Sequence, residues 1–324
     1  MLPLHPTLGW MLTGMFGALS AGTMARLVSL RGKPQELVRK RVGSLKTWWV
    51  ITPTIAATVL LGQVAVAVLF VIVGWLALRE YAQLIGKRTE DRSMEVIAFV
   101  LVPLHYVLVC FGTSVGAAMT LPLAALIVMS ISQTVAERTD GFTKSVTGWY
   151  WALMLLVFGP SCAVLLWTIP AEQSADVGPV GWFLFLVILT EMNDIAQAFF
   201  GRRWGKRHIA PKVSPHKTWE GLWGGVAVTT LLAVVLSPVL TPFGANAGSM
   251  PYPNGLGLTF ALGAGLLISV IGYLGDINLS AVKRDAGVKD SGTLLPGQGG
   301  ILDRIDSLTF TAPAFYGFVL WSLS

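Results

Sequence analysis

Residues 275–307 read GDINLSAVKRDAGVKDSGTLLPGQGGILDRIDS and hold five aspartates and four basic residues between two apolar runs. If 275–285 is helical, Asp276, Ser280 and Lys283 fall at i, i+4 and i+7. That spacing builds one helix face bearing a carboxylate, a hydroxyl and an ammonium. Arg284 lies beside this face, and Asp285 and Lys289, also at i,i+4, read as a surface ion pair. DSGTLLPGQGG cannot continue the helix: its glycines and proline let the backbone turn and come close to a ligand. Asp303 and Asp306, at i,i+3, open the last apolar run.

A second segment, 190–225, has the same character. Glu191 and Asp194 share a helix face at the end of an apolar run, followed by Arg202, Arg203, Lys206 and Arg207. GRRWGK is a near miss to a P-loop, with too few residues between its glycines and Arg207 where Ser or Thr belongs. SPHKTWEG reads as a helix start, with Ser214 as N-cap and Pro215 at the first helical position. Lys217 and Thr218 then fall in the first turn, where free N–H groups favour an anion such as phosphate. The alternative for the same residues is a capped helix with a Lys217–Glu220 pair.

These residue types fit one class of chemistry. A hard cation such as Mg²⁺ takes one or two carboxylates and completes its shell with substrate phosphates. Interleaved Lys and Arg neutralise those phosphates. Phosphoryl and nucleotidyl transfer depend on such positioning and charge neutralisation more than on a protein nucleophile.

The elements that must hold these side chains are apolar. Of 324 residues, 54% are hydrophobic and 12% charged, with mean hydropathy +0.67. Soluble domains carry about 25% charged residues, so composition indicates an integral membrane protein. A spanning helix needs roughly 20 apolar residues. Candidate spans lie near 8–30, 47–62, 64–79, 94–112, 115–133, 147–169, 179–200, 219–241, 255–275 and 308–324. The second and third are short and adjacent, either a tight hairpin or one tilted span, which gives nine or ten in all. The alternate loops 31–46, 79–93, 134–146, 201–218 and 276–307 hold 22 of the 23 Lys and Arg, while 170–179 and 241–255 hold none. Basic loops mark the cytoplasmic side. Both termini are therefore expected outside and the charged segments at the cytoplasmic face. The net charge of +6 is explained by this asymmetry rather than by a nucleic-acid partner. The loop 31–46 also suits anionic lipid headgroups. Cys110 and Cys162 lie in apolar runs and imply no disulfide framework. MLPLHPTLGW lacks the basic start of a cleavable signal peptide. The expected fold is an all-α, polytopic membrane helix bundle forming a single domain over 1–324. Residues 1–189 are its N-terminal helices and 190–324 its catalytic part.

With these residues in view, the C-terminal part resembles a known family. The pattern S-x-x-K-R-x4-K-D-x-G-x-L-x-P-G-H-G-G-x-x-D-R-x-D resembles the signature of phosphatidate cytidylyltransferases. Here it reads Ser280, Lys283, Arg284, Lys289, Asp290, Gly292, Leu294, Leu295, Pro296, Gly297, Gly299, Gly300, Asp303, Arg304 and Asp306. Upstream, GR-x-x-G-K and P-K-V-S-P-x-K-T-W-E-G resemble the same family in the same order. The match covers about 190–307; before it, the chain is similar only in being apolar with basic inner loops.

The resemblance implies a reaction in which phosphatidate attacks the α-phosphorus of CTP and releases pyrophosphate. It also implies Mg²⁺, used by the family as a metal pair, with Asp276 and Asp303 as ligands by motif position. Lys283, Arg284, Lys289, Arg304 and Lys217 would hold phosphates. Ser280, Ser214 and Asp306 would orient the site, with Asp194, Thr218 and Asp290 beside the substrate. A helical membrane bundle, commonly a homodimer, in a bacterial inner membrane is the implied setting. Gln298 departs from the pattern, which has histidine there. Glutamine keeps a donor and an acceptor but cannot titrate near neutrality. Phosphatidate is already largely ionised there, so activity is expected to survive. A side branch of the family is also suggested by SAVKR. Three rivals stand beside this reading. A CDP-alcohol phosphatidyltransferase lacks its motif beyond TDGFTKS. A transporter would place its polar groups at mid-membrane and often carries inverted repeats. An inert relative that binds lipid or partners is the third, on the strength of Gln298.

Overall fold

The computed structural model describes residues 6–86, 92–112, 115–243 and 256–324. The chain is an all-α membrane helix bundle with one small hairpin. Its helices are α1 (Pro6–Ser29), α2 (Gln35–Leu61), α3 (Gln63–Leu84), α4 (Arg92–Phe111), α5 (Val115–Val135) and α6 (Phe142–Leu153). A π-helical turn, Met154–Phe158, joins α6 to α7 (Gly159–Leu165). After α8 (Val180–Trp204) come strands β1 (His208–Ala210) and β2 (Ser214–Thr218). The chain ends with α9 (Trp219–Leu240), α10 (Leu256–Asp285), the short α11 (Leu302–Ile305) and α12 (Leu308–Leu323). Within the described residues, the apolar stretches read from the sequence fall on helices. Seven helices among the described residues are long and apolar enough to cross a membrane. The uncharged loop 241–255 lies largely outside the described residues, as does part of the inner loop 79–93.

The adjacent short stretches resolve into two helices. Gly62, at φ +97, takes a backbone shape that other residues rarely adopt, and it separates α2 from α3. The first turns of α2 and the last turns of α3 both reach the turn at 291–302, through Ser44–Gln298 and Glu80–Ile301 bonds. The two helices therefore form a hairpin.

Helices α8, α9, α10 and α12 pack together and carry the charged segments at one end. Buried polar bonds pin them. Asn193 Oδ1 accepts from Ser269 Oγ at 2.7 Å and Thr229 Oγ1 at 3.3 Å, tying α8, α9 and α10 together. Thr190 and Thr311 hydroxyls, 3.1 Å apart, join α8 to α12. Lipid offers no hydrophobic drive between helices, so such bonds and close packing fix their arrangement.

The segments read as basic inner loops lie at one end of the bundle and touch one another. Arg138 Nη1 donates to Ser93 Oγ at 3.2 Å, Arg284 Nε to Val213 O at 3.1 Å, and Gln298 Nε2 to Ser44 O at 3.1 Å.

One local expectation fails. SPHKTWEG does not begin a helix at Ser214. Residues 214–218 form β2, which pairs antiparallel with β1 (His208 opposite Thr218, Ala210 opposite Ser214). The helix starts at Trp219 with Thr218 as N-cap, its hydroxyl accepting from Gly221 N at 3.2 Å. Thr218 is itself a favoured cap residue, and β1 gives the preceding residues a ladder to join. Pro215 is tolerated because a two-stranded hairpin consists only of edges.

Candidate active site

Two lysine–aspartate pairs form the centre of the site. In the first, Lys217 of β2 reaches Asp276 of α10, with Nζ 2.5 Å from Oδ2. Lys217 also donates to Gln197 Oε1 at 3.1 Å and sits over the Tyr273 ring. Ser280 Oγ donates to Asp276 Oδ1 at 3.3 Å, the i,i+4 contact expected from the helical spacing. Asp194 and Asp306 complete this group. Ser307 bridges them, its hydroxyl donating to Asp194 Oδ1 at 2.9 Å and its N–H to Asp306 Oδ1 at 2.9 Å.

Burial pushes the Asp306 carboxyl well above its usual range, and the neighbouring Asp276 and Asp194 push it further. Burial pulls Lys217 down, but Asp276 and Asp194 outweigh it and leave Lys217 raised. The amine therefore stays charged amid crowded carboxylates.

The second pair is Lys283 and Asp303, with Nζ 2.6 Å from Oδ1. Asp303 Oδ2 accepts from Gly300 N at 2.9 Å, Ser291 Oγ at 3.0 Å and Ser291 N at 3.1 Å. Burial works to raise this carboxyl, but the Lys283 and backbone bonds prevail and hold it low. Arg304, next in sequence, keeps a buried Nε with no hydrogen-bond partner.

The turn between Asp290 and Leu302 has specific backbone needs. Gly297 and Gly299 have φ +73 and +88, and Leu295 N donates to Gly299 O at 2.9 Å. A Cβ on Gly299 would overlap Asp303 Oδ2. Thr47 Oγ1 donates to Pro296 O at 3.1 Å, so α2 braces the turn. Gln298 does the same: Nε2 donates to Ser44 Oγ at 2.9 Å as well as to Ser44 O.

The remaining expectations divide. Asp276 and Asp303 each have a lysine partner of their own, Lys217 and Lys283. Among the described residues, no three His, Cys, Asp or Glu side chains are grouped tightly enough to hold a metal unaided. Arg284 spends its guanidinium on Val213 O and Val288 O, locking the hairpin to the end of α10. Lys289 and Asp290 are exposed beyond that helix. The Asp285–Lys289 pair does not form among the described residues, because α10 stops at Asp285 and the i,i+4 geometry ends with it. The Lys217–Glu220 pair does not form either: Glu220 accepts from the backbone N–H of Lys206 and Arg207. Ser214 lies half-buried in β2 beside a cavity of about 480 Å³ that Gln197, Gly201, Arg202, Lys217 and Thr218 also line.

Several site residues were not read from the sequence. Gln197, Ser307 and Ser291 are small polar residues with no motif signal of their own. Glu80 gave a signal, an acid within an apolar run, but sat at the edge of a loop counted for its basic residues.

Comparison with known proteins accords with this picture. The sequence profile of the cytidylyltransferase family matches residues 43–322. The uncharacterised protein YnbB of Escherichia coli is 36% identical over 95% of this chain and 97% of its own. A phosphatidate cytidylyltransferase of Haemophilus influenzae is 45% identical over 42% of this chain and 46% of its own length. One from Pseudomonas aeruginosa is 37% identical over 44% and 48%. The chain thus matches a little under half the length of the two relatives that carry an activity in their names.

Proposed function

The chain belongs to the cytidylyltransferase family, and from that premise we propose that it transfers CMP from CTP to phosphatidate. A phosphatidate oxygen attacks the α-phosphorus of CTP, the bond to the β-phosphate breaks, and pyrophosphate leaves with CDP-diacylglycerol as product. The observation that carries this reading is the group around Lys217 and Asp276, where a charged amine and crowded carboxylates meet beside a cavity at the end of the bundle.

In this reading Lys217, Lys283 and the free Nε of Arg304 hold phosphate oxygens and offset charge that builds on the leaving pyrophosphate. Preorganised donors of that kind are the main device of phosphoryl and nucleotidyl transfer. The cavity beside Lys217 falls within the range of about 300–1,000 Å³ typical of ligand pockets. Tyr273 and Gln197 fix the Lys217 ammonium, and Ser280 steadies Asp276.

The donor set suits Mg²⁺. Asp276, Asp306 and Asp194 offer hard oxygens, and Mg²⁺ characteristically completes its shell with substrate phosphate and water. A divalent ion would also offset the burial and the neighbouring carboxylates that raise Asp306. Asp276 and Asp306, with Asp194 beside them, would therefore hold it. Asp303, the other ligand that the resemblance implies, would also orient Lys283 through Oδ1. When bound, the ion supplies charge neutralisation at the phosphates. The basic end of the bundle would face the cytoplasm, where CTP is dissolved, while phosphatidate keeps its acyl chains in the bilayer.

Gln298 fits retained activity, since its side chain is used to brace the turn against α2. The test is to give purified protein CTP, phosphatidate and Mg²⁺ and to measure CDP-diacylglycerol. Product that depends on all three supports the reading. Absence of product, with Gln298→His restoring it, would favour an inert relative.

A further inference from the structure

Glu80 stands outside the motif and in the other half of the chain, yet it grips the active-site turn. It lies near the end of α3 and is only 6% exposed. A buried carboxylate is costly unless it is paired or fully hydrogen-bonded. Among the described residues no Lys or Arg pairs with it; its partners are donors from the turn. Ile301 N donates to Oε1 at 2.8 Å, and Leu302 N donates to Oε2 at 3.1 Å. Ser291 Oγ lies 3.0 Å from Glu80 Oε2 and 3.0 Å from Asp303 Oδ2, so one hydroxyl links the two acids.

The surrounding sequence is shaped to admit this side chain. A Cβ on Gly300 would overlap Glu80 Oε2 and Ser291 Oγ, and one on Gly292 would crowd the Glu80 carboxylate. The Ile301 and Leu302 N–H groups lie at the start of α11, the helix that carries Asp303. Asp303 in turn holds Lys283.

We infer that Glu80 is a positioning residue for nucleotidyl transfer, setting the start of α11 so that Asp303 presents Lys283 to the substrate phosphates. The inference rests on the proposed reaction. It also explains why an acid is needed at 80: both oxygens must accept. A glutamine has the same shape but only one accepting oxygen, and it would turn an NH₂ towards a donor.

The test compares full-length wild type, Glu80→Gln and Ser291→Ala in detergent–lipid micelles by hydrogen exchange and by CMP transfer. In Glu80→Gln, exchange at residues 298–302 should rise about 10-fold or more while α9 and α10 keep their protection. Turnover should fall roughly 100-fold, as expected for an ångström-scale misplacement, with the KM for CTP little changed. Ser291→Ala should give a smaller change in the same direction, and it decides the matter if Glu80→Gln does not fold. Wild-type exchange in the turn of Glu80→Gln, or of Ser291→Ala where Glu80→Gln does not fold, overturns the inference. So does a loss of CTP affinity without loss of turnover rate. If the wild type makes no CDP-diacylglycerol yet Glu80→Gln loosens only the turn, the proposed reaction fails while the grip of Glu80 on the turn stands.

Discussion

Lys217 of the hairpin and Asp276 of α10 meet at 2.5 Å, with side chains only 19% and 20% exposed. The pair fastens β2 to the helix that carries Ser280 and Lys283. Removing one member strands the other in a site with little water, which costs more than the pair itself contributes.

Lys217→Met should lower turnover by about 100-fold or more, the scale of losing one preorganised donor, and should lower the thermal midpoint in detergent. Lys217→Met combined with Asp276→Asn should recover much of the midpoint but none of the turnover. Recovery of turnover in the double variant would show that the pair is only structural.

Asp303 predicts an acid limb in stability. Its carboxyl is held below the usual range in the folded protein. The folded state therefore favours the ionised form more than the unfolded chain does. That contribution is complete above the unfolded carboxylate's pKa and is lost as pH falls through the folded one. Asp303→Asn should shrink this acid loss and abolish turnover while the protein stays inserted. Thermal unfolding across acidic pH measures it, and an unchanged slope in the variant contradicts the assignment.

Gln298 predicts tolerance. Histidine can donate to Ser44 as the amide does, so Gln298→His should change turnover by less than about 3-fold, the scale of less than one kcal/mol. Gln298→Ala removes the brace and should cost more. A large gain with histidine, measured on CDP-diacylglycerol formation, would instead mark the wild-type site as impaired.

Gly300→Ala places a methyl against Glu80 and Ser291, whereas Gly317→Ala meets open space. The first should destabilise by about 1–3 kcal/mol, typical of overpacking, and should depress turnover. The second should be silent. Equal midpoints for the two variants would refute the close packing of the turn.

Orientation can be read by labelling single cysteines in a background lacking Cys110 and Cys162. Positions in 31–46 and 201–218 should react only when the inner side is opened, and positions in 170–179 from outside. The reverse pattern would place the site on the wrong face for CTP.

The sequence by itself determined the membrane class, the helical character of its apolar stretches, the two charged segments, and the Asp276–Ser280 contact. These follow from composition, helical periodicity and an i,i+4 spacing, which are local properties of the chain. It did not show that 214–218 would be a strand, because that depends on a partner, β1, placed by the fold. Only the tertiary structure decided which lysine meets which aspartate, since Lys217 and Asp276, like Lys283 and Asp303, lie on different elements. Only it assigned Glu80 to the turn at 291–302, for the same reason: a buried carboxylate takes whichever donors the packing of α3 against that turn brings within reach.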